Sequence, residues 1–268
     1  MSASNSNASS RGAFSFLYTR EMKLITLNVW GGRKGEELER FFKTHADVDI
    51  FCFQEVYEDA GSKDVHFQGT GANYEHLSLL KSQLSDYQCF YHPHLGDWWG
   101  LAMFIKKGIP VVDSGEIYVH KEKGWNFDLE VSGHTAKNLQ YATIETENGL
   151  ITIINFHGLW NGQGKEDSDE RLLQSQNIVA YIKTLKNPYV LAGDFNLSPD
   201  TVSLNMLEDH GMRNLIKEYG VFSTRTPLYD KENKFADYVL VSGGIEALDF
   251  SVLPDVVSDH SPLYLEFK

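Results

Sequence analysis

The feature that most constrains this chain is a pattern repeated four times: a short apolar run that stops at a residue able to bind a cation or carry a proton. Leu24-Ile25-Thr26-Leu27 stops at Asn28, and Ile50-Phe51-Cys52-Phe53-Gln54 stops at Glu55. Ile151-Thr152-Ile153-Ile154-Asn155-Phe156 stops at His157, and Val190-Leu191-Ala192-Gly193 stops at Asp194-Phe195-Asn196. Apolar runs this short, alternating with helical stretches, read as buried strands of an α/β fold. In such sheets ligands bind beyond the carboxyl ends of the strands. An Asp or Asn at one strand end more often caps a turn, and a lone His is more often a hydrogen-bonded structural residue. Glu is a poor turn former, and recurrence on four strands points to a hard-ligand site.

The rest of the pattern fills in a mixed sheet. Strands are expected at Lys23–Asn28, Asp49–Gln54, Leu101–Lys106, Gln140–Glu145, Leu150–Asn155, Tyr189–Gly193, Ala236–Val241 and Leu263–Phe267. Helices are expected at Glu36–His45, Asn73–Leu84, Ser168–Leu185 and Thr201–Glu208. In the third, Leu172, Leu173, Gln176, Val179, Ala180 and Ile182 recur near helical spacing behind an acidic first turn. Asn148-Gly149 between two β-branched runs signals a hairpin, so the sheet is not purely parallel. No linker or repeat divides residues 22–268, which read as one domain; the small polar residues of 1–21 read as a disordered tail or extension, with Met22 a possible native start.

Two further segments carry chemistry. In Asp194-Phe195-Asn196, residues two apart face the same way, so a carboxylate and an amide share one side. Ser258-Asp259-His260 sets a carboxylate beside an imidazole that titrates near neutrality. Asp237, after Phe235-Ala236, can accept from a histidine ring N–H and hold it in one tautomer.

Together these segments resemble the endonuclease/exonuclease/phosphatase superfamily, which has the fold of deoxyribonuclease I. The resemblance rests on Thr26-Leu27-Asn28, Phe53-Gln54-Glu55-Val56, Phe156-His157-Gly158, Gly193-Asp194-Phe195-Asn196, Phe235-Ala236-Asp237-Tyr238 and Ser258-Asp259-His260, in the family's order. It implies a four-layer α/β/β/α sandwich, two mixed β-sheets packed face to face with helices outside. It also implies Mg²⁺ or Mn²⁺ held chiefly by Glu55, with Asn28 and Asp259 nearby. Asp194 would orient the attacking water and Asn196 would stabilise developing charge. His260, oriented by Asp237, would act as base or as a charge-stabilising donor, and His157 would contact a non-bridging phosphate oxygen. The physics agrees, since phosphate ester hydrolysis gathers charge on the equatorial oxygens, where a cation and fixed donors help most.

The ester itself stays open. The expectation is a nuclease-type phosphodiesterase on DNA or RNA, with a phosphatase or phosphodiesterase of a small metabolite or lipid headgroup as the alternative. A net charge of -13 argues against nucleic-acid binding by broad phosphate neutralisation. His157-Gly158-Leu159-Trp160 lacks the longer motif of the apurinic endonucleases, which weakens an abasic-site assignment. Trp160 is a candidate for stacking on a base or ring, and Gly162, Gly164 and the acids after them suggest a mobile rim loop. Lys137 or Asn138, and Arg225, are candidate phosphate contacts that compete with solvated surface roles. In His92–Gly100, the Trp98-Trp99 pair suggests a hydrophobic wall and Asp97 an acid orienting His157. Cys52 and Cys89 read as buried free thiols of a reducing compartment. No run spans the ~18–20 apolar residues needed to cross a bilayer. The expectation is a monomeric cytoplasmic enzyme.

Overall fold

The eight apolar runs become the eight central strands of two six-stranded sheets. A computed structural model describes residues 20–61, 70–125 and 135–268. The first sheet runs, edge to edge, β11 (Ala247–Val252), β12 (Leu263–Phe267), β1 (Met22–Asn28), β2 (Ile50–Tyr57), β4 (Trp99–Lys106) and β3 (Tyr87–Leu95). The second runs β5 (Val111–His120), β6 (Lys137–Thr146), β7 (Gly149–His157), β8 (Tyr189–Asp194), β10 (Asp237–Val241) and β9 (Arg213–Asn214). The four strands that periodicity does not reveal, β3, β5, β9 and β11, are the four sheet edges. The helices are α1 (Gly35–Thr44), α2 (His76–Gln83), α3 (Asp169–Ile182), α4 (Val202–Glu208) and a single turn, α5 (Leu215–Glu218).

Each sheet is mixed in the same way. Near its middle lies one parallel pair, β1–β2 in the first sheet and β7–β8 in the second, and every other pairing is antiparallel. Parallel strands deliver their carboxyl ends to the same sheet edge, so the four polar strand ends gather into two neighbouring pairs. At the tight β7–β8 pair, Gly193 holds φ +147°, and a Cβ there would lie 2.0 Å from the Phe156 carbonyl oxygen. Only glycine fits.

Strand alternation sorts the core. Leu24, Cys52 and Met103 face the second sheet and join its apolar residues, while Ile25, Phe51, Phe53 and Phe104 face outward. There Leu38, Phe41 and Phe42 of α1 and Leu77 and Leu80 of α2 cover them. Each such fully buried side chain stabilises the fold by roughly 1.5–3 kcal/mol relative to exposure. Helices α3 and α4 cover the other sheet, completing the expected four layers.

Three expectations need correction. The buried side of α3 is Arg171, Gln174, Ser175, Ile178 and Ile182 with Val179, and Leu173 is exposed. Its polar members are buried because they bond the preceding loop: Arg171 donates to the carbonyls of Leu159 (3.2 Å), Gly164 (2.7 Å) and Glu166, and Gln174 accepts from Leu159 N at 3.1 Å. That loop, expected to be mobile, is therefore anchored at both ends, at Leu159 and at residues 164–166. The tail expected over 1–21 lies outside the described residues up to residue 19, and the Arg20 guanidinium already pairs with Asp49. Of the thiols, both free, Cys52 is buried and Cys89 only partly so. Among the described residues no helix is long and apolar enough to cross a membrane.

His76 at the start of α2 packs its ring where a side chain on Gly32 (φ +71°) would stand, tying the turn after β1 to the outer layer. Burial holds this imidazole neutral, pulling its pKa from 6.5 down to about 4. The unfolded chain takes up a proton near pH 6.5 and the folded chain only near pH 4. The neutral ring's contribution is thus complete above pH 6.5 and is lost as pH falls toward 4, by about 3 kcal/mol. His94 and His157, also held neutral by burial, act in the same direction. Thermal melts between pH 7 and pH 4.5 should show His76→Phe losing stability less steeply than the wild-type chain; parallel curves would refute this account.

Candidate active site

At the edge where both parallel pairs end, the chain forms a cleft of about 520 Å³. Glu55, His157, Asp194, Asn196, Asp259 and His260 all open onto it, with Asn28 and Asp237 directly behind. The structure thus brings together all eight residues expected to carry the chemistry.

Local backbone geometry aims them. Glu55 does not follow the end of its strand, as expected from sequence. It lies inside β2 at a bulge, where the pairing with β4 slips between Phe53 and Val56, and it holds φ +59°. A regular strand would continue the in-out alternation begun by Gln54, which faces the other sheet; the extra residue turns the next carboxylate toward the cleft. Asn196 holds φ +54°, its N–H bonded to Asp194 Oδ1 at 2.9 Å and its Nδ2 donating to the Gly158 carbonyl at 3.3 Å. Such non-glycine positive-φ positions cost of order 1–3 kcal/mol each, held here by the bulged pairing at Glu55 and by the hydrogen bonds of Asn196.

Asp194 is the hub. It stands opposite His157 across the parallel pair and opposite Asp237 across the antiparallel one. Asn28 Nδ2 donates to Asp194 Oδ2 (3.0 Å) and to Glu55 Oε1 (3.1 Å), while Asn28 Oδ1 accepts from Trp30 N at 3.0 Å. Asn28 is therefore placed as a donor bridging two carboxylates, while its Oδ1 keeps a second lone pair beside the one that meets Trp30 N.

His260 Nδ1 lies 2.8 and 2.9 Å from the two Asp237 oxygens, and Thr224 Oγ1 donates to Asp237 at 2.9 Å. This leaves Nε2 of His260 facing the cleft, 3.6 Å from Asp194 Oδ2, with Nε2 of His157 at 3.8 Å from the same oxygen. Both distances exceed a direct hydrogen bond. Asp259 is met by Arg225 Nη1 at 3.4 Å.

The electrostatics separate these groups. Burial works to raise the Asp194 carboxyl, but His260, Lys165 and His157 outweigh it and hold the group well below the usual carboxylate range. Glu55 moves the other way, raised by burial with Asp259 and Asp194 adding repulsion. Burial would lower His260, yet Asp237 and Asp194 raise it above 6.5. His157 is held well below that value by burial and by Lys137.

Converging carboxylates, one of them destabilised as an anion, form an oxygen donor set suited to a hard divalent cation. Glu55 accepts one bond from Asn28 and Asp259 meets Arg225 at 3.4 Å, which leaves oxygen lone pairs on both. Asp194, Asp237 and His260 also offer ligand atoms within 4.8 Å of one another, but Asp237 and His260 already satisfy each other.

Five cationic side chains line the same cleft, Arg33, Lys137, Lys165, Arg225 and Lys231. Four rest on aromatic faces that also line it: Arg33 on Trp30 (4.4 Å), Lys137 on Trp99 (5.0 Å), Arg225 on Tyr229 (4.0 Å) and Lys231 on Trp160 (5.8 Å). The solvated role weighed for Lys137 and Arg225 is thus not what the structure shows. Asn138 is no cleft residue: fully buried, it donates to Glu116 Oε2 (2.7 Å) and its Oδ1 lies 3.1 Å from His94 Nδ1. Asp97 does not orient His157. It is exposed, and His157 Nδ1 has no hydrogen-bond partner; the ring packs edge-on to Trp99 and His94 instead. Sequence reasoning missed Trp30, Lys165, Tyr229 and Lys231, which stand in turns with no periodic signal. Lys165 sits between a glycine-rich stretch and a run of acids, where a solvated charge is the ordinary reading.

Residues 25–260 match the model of the endonuclease/exonuclease/phosphatase family. No curated protein matches the chain. Among solved structures, a mannosyl-6-phosphatase from Bacteroides thetaiotaomicron superposes with TM-score 0.70 at 18% identity, covering 92% of this chain and 99% of that one. ANGEL2, a 2',3'-cyclic phosphatase in complex with adenosine-2',3'-vanadate, gives 0.67 at 15% identity, covering 94% and 96%. The D. rerio TDP2 complex with a single-strand DNA product gives 0.66 at 15% identity, covering 92% and 99%. At these identities the likeness is one of fold.

The Asp237 pairing carries a direct expectation. By NMR, His260 should titrate above an ordinary histidine, and Asp237→Asn should lower its midpoint; an unmoved midpoint would remove the pair from the site's electrostatics.

Proposed function

The chain belongs to the endonuclease/exonuclease/phosphatase family, and from that premise we propose that it is a divalent-metal-dependent phosphoesterase whose reaction takes place in this cleft. The observation carrying the reading is the convergence of Glu55, Asp194, His157 and the Asp237–His260 pair at the joint end of two parallel strand pairs. Mg²⁺ or Mn²⁺ held chiefly by Glu55, with Asn28 and Asp259 beside it, would supply Lewis-acid stabilisation of charge on the phosphoryl oxygens.

The protein's own residues divide the remaining work. Asp194, kept ionised, has an oxygen that neither imidazole bonds directly and can orient a water and accept its proton. His260, its Nδ1 held by Asp237 and its pKa raised by Asp237 and Asp194, is shifted toward the charge-stabilising donor among its two expected roles. His157, held neutral, can donate from Nε2 to a non-bridging oxygen without bringing another full charge. Asn196, fixed by its bonds to Asp194 and Gly158, adds an amide donor.

For the substrate, the cleft supports a single phosphate presented beside a ring. The aromatic faces at its walls suit stacking on a base, which keeps the nuclease-type phosphodiesterase in view for a strand end or splayed nucleotide. The limited volume and an overall charge of -13 favour a nucleotide-sized or smaller ester over a continuous duplex. Two free thiols are compatible with the cytoplasmic location we assign.

A panel of phosphate monoesters, generic phosphodiesters and labelled single- and double-stranded DNA and RNA, assayed with Mg²⁺ or Mn²⁺, tests this. We expect EDTA-sensitive turnover that falls by roughly 10³-fold or more in Asp194→Ala and His260→Ala. Folded protein with either metal that turns over no member of the panel removes the reading.

A further inference from the structure

Of the five cations in the cleft, Lys165 is unlike the rest. The other four lie over aromatic rings, and Arg225 also meets Asp259. The Lys165 side chain is 2% exposed and lines the cleft, yet its Nζ has no hydrogen-bond partner. A buried ammonium carries three donors and no acceptor capacity, and burying it unpaired is costly. The fold nevertheless pins it in place. The Lys165 carbonyl accepts from Ser198 N at 2.9 Å, while Arg171 grips the carbonyls on both sides, Gly164 and Glu166. A clamp that holds an unpaired cation against the reacting groups points to an anion supplied from outside.

The second buried ammonium, Lys137, enters from the start of β6. It acts on Glu55 and Asp194, whereas Lys165 acts on Asp194 together with Asp237 and Asp259. Both therefore act on Asp194, each in company with a different set of carboxylates. Burial draws each down to about 8, as expected for groups that lack an anionic partner of their own. An internal phosphodiester offers two non-bridging oxygens and one negative charge. A phosphomonoester offers three oxygens and nearly two charges at neutral pH, its second pKa being ~6. The two non-bridging oxygens of a diester can be met by the two imidazoles that face the cleft, whereas the third oxygen and second charge of a monoester give the Lys165 ammonium a partner.

We propose that Lys165 binds the substrate's phosphoryl group and, with Lys137, makes this cleft select a terminal phosphate, a phosphomonoester on a small molecule or at a strand end, over an internal phosphodiester. This rests on the phosphoesterase reading above for its kinetic arm only.

The test compares the wild-type chain with Lys165→Met and Lys165→Gln on p-nitrophenyl phosphate and bis(p-nitrophenyl) phosphate. The wild type should prefer the monoester. Each variant should lose roughly 10- to 100-fold more in kcat/KM on the monoester than on the diester, the value of a charge-assisted hydrogen bond. Equal losses on both substrates, or none on either, overturn the proposal. Calorimetric binding of inorganic phosphate in the presence of Mg²⁺ stands apart from catalysis. The wild type should bind it at least 10-fold more tightly than either variant. Equal binding, or no binding by the wild type, overturns the proposal; phosphate binding that is lost in the variants while no ester is hydrolysed sinks the phosphoesterase reading alone.

Discussion

A chain of amide side chains buried between the two sheets holds the rest of the structure in register. Gln54 Nε2 donates to Thr26 Oγ1 at 3.1 Å and, across the interface, to Asn155 Oδ1 at 2.7 Å. Asn155 Nδ2 donates to the Phe53 carbonyl and to Gln140 Oε1, both at 3.0 Å, and Gln140 Nε2 crosses back to the Phe90 carbonyl at 2.8 Å. Apolar sheet faces alone would pack in several offsets of similar energy. Each amide bond contributes only about 0.5–1.5 kcal/mol, but a slip of one residue would leave several buried amides unpaired at about 1–3 kcal/mol each. The chain therefore contributes more to specifying one offset than to stability. That offset sets β1–β2 over β7–β8 and lets Asn28 reach both Glu55 and Asp194.

Above this layer, one small volume sorts four titratable groups in four ways. Asp194 is a buried carboxyl and Glu55 a half-buried one, yet the first is held ionised by the cations around it while the second is pushed toward neutrality. His260 and His157 are both buried imidazoles, and only the one with a committed carboxylate partner is raised. Environments that drive like groups apart are what acid, base and donor roles at a single pH require.

The strands that carry the chemistry are legible in the sequence because they are central. Burial on both faces makes β1, β2, β7 and β8 almost wholly apolar, and a polar residue at the end of such a run stands out. β3, β5 and β11 are half wet, so Val112, Asp113 and Ser114 of β5 look like loop. The bulge at Glu55 is invisible because Val56 and Tyr57 simply read as the start of the next segment. The inward face of α3 misleads because hydrophobic periodicity cannot see an arginine buried to serve carbonyls. Net charge misleads in the same way: -13 averages over the whole chain and says nothing of five cations gathered in one cleft.

The pairing of β1 with β12 sets the first described strand directly against the last, Met22 opposite Phe267. The cleft correspondingly draws on residues from Asn28 to His260, and its Asp259–His260 segment is held by Ser258 Oγ donating to the Asn28 carbonyl at 2.7 Å. No partial chain growing from the amino terminus contains a complete set of reacting groups, and the contact that closes the set is among the longest-range in the molecule. Contacts of such sequence separation form late and slowly. Assembly of the cleft is in this way tied to synthesis past His260, so a product that stops short of it carries an incomplete set of these groups.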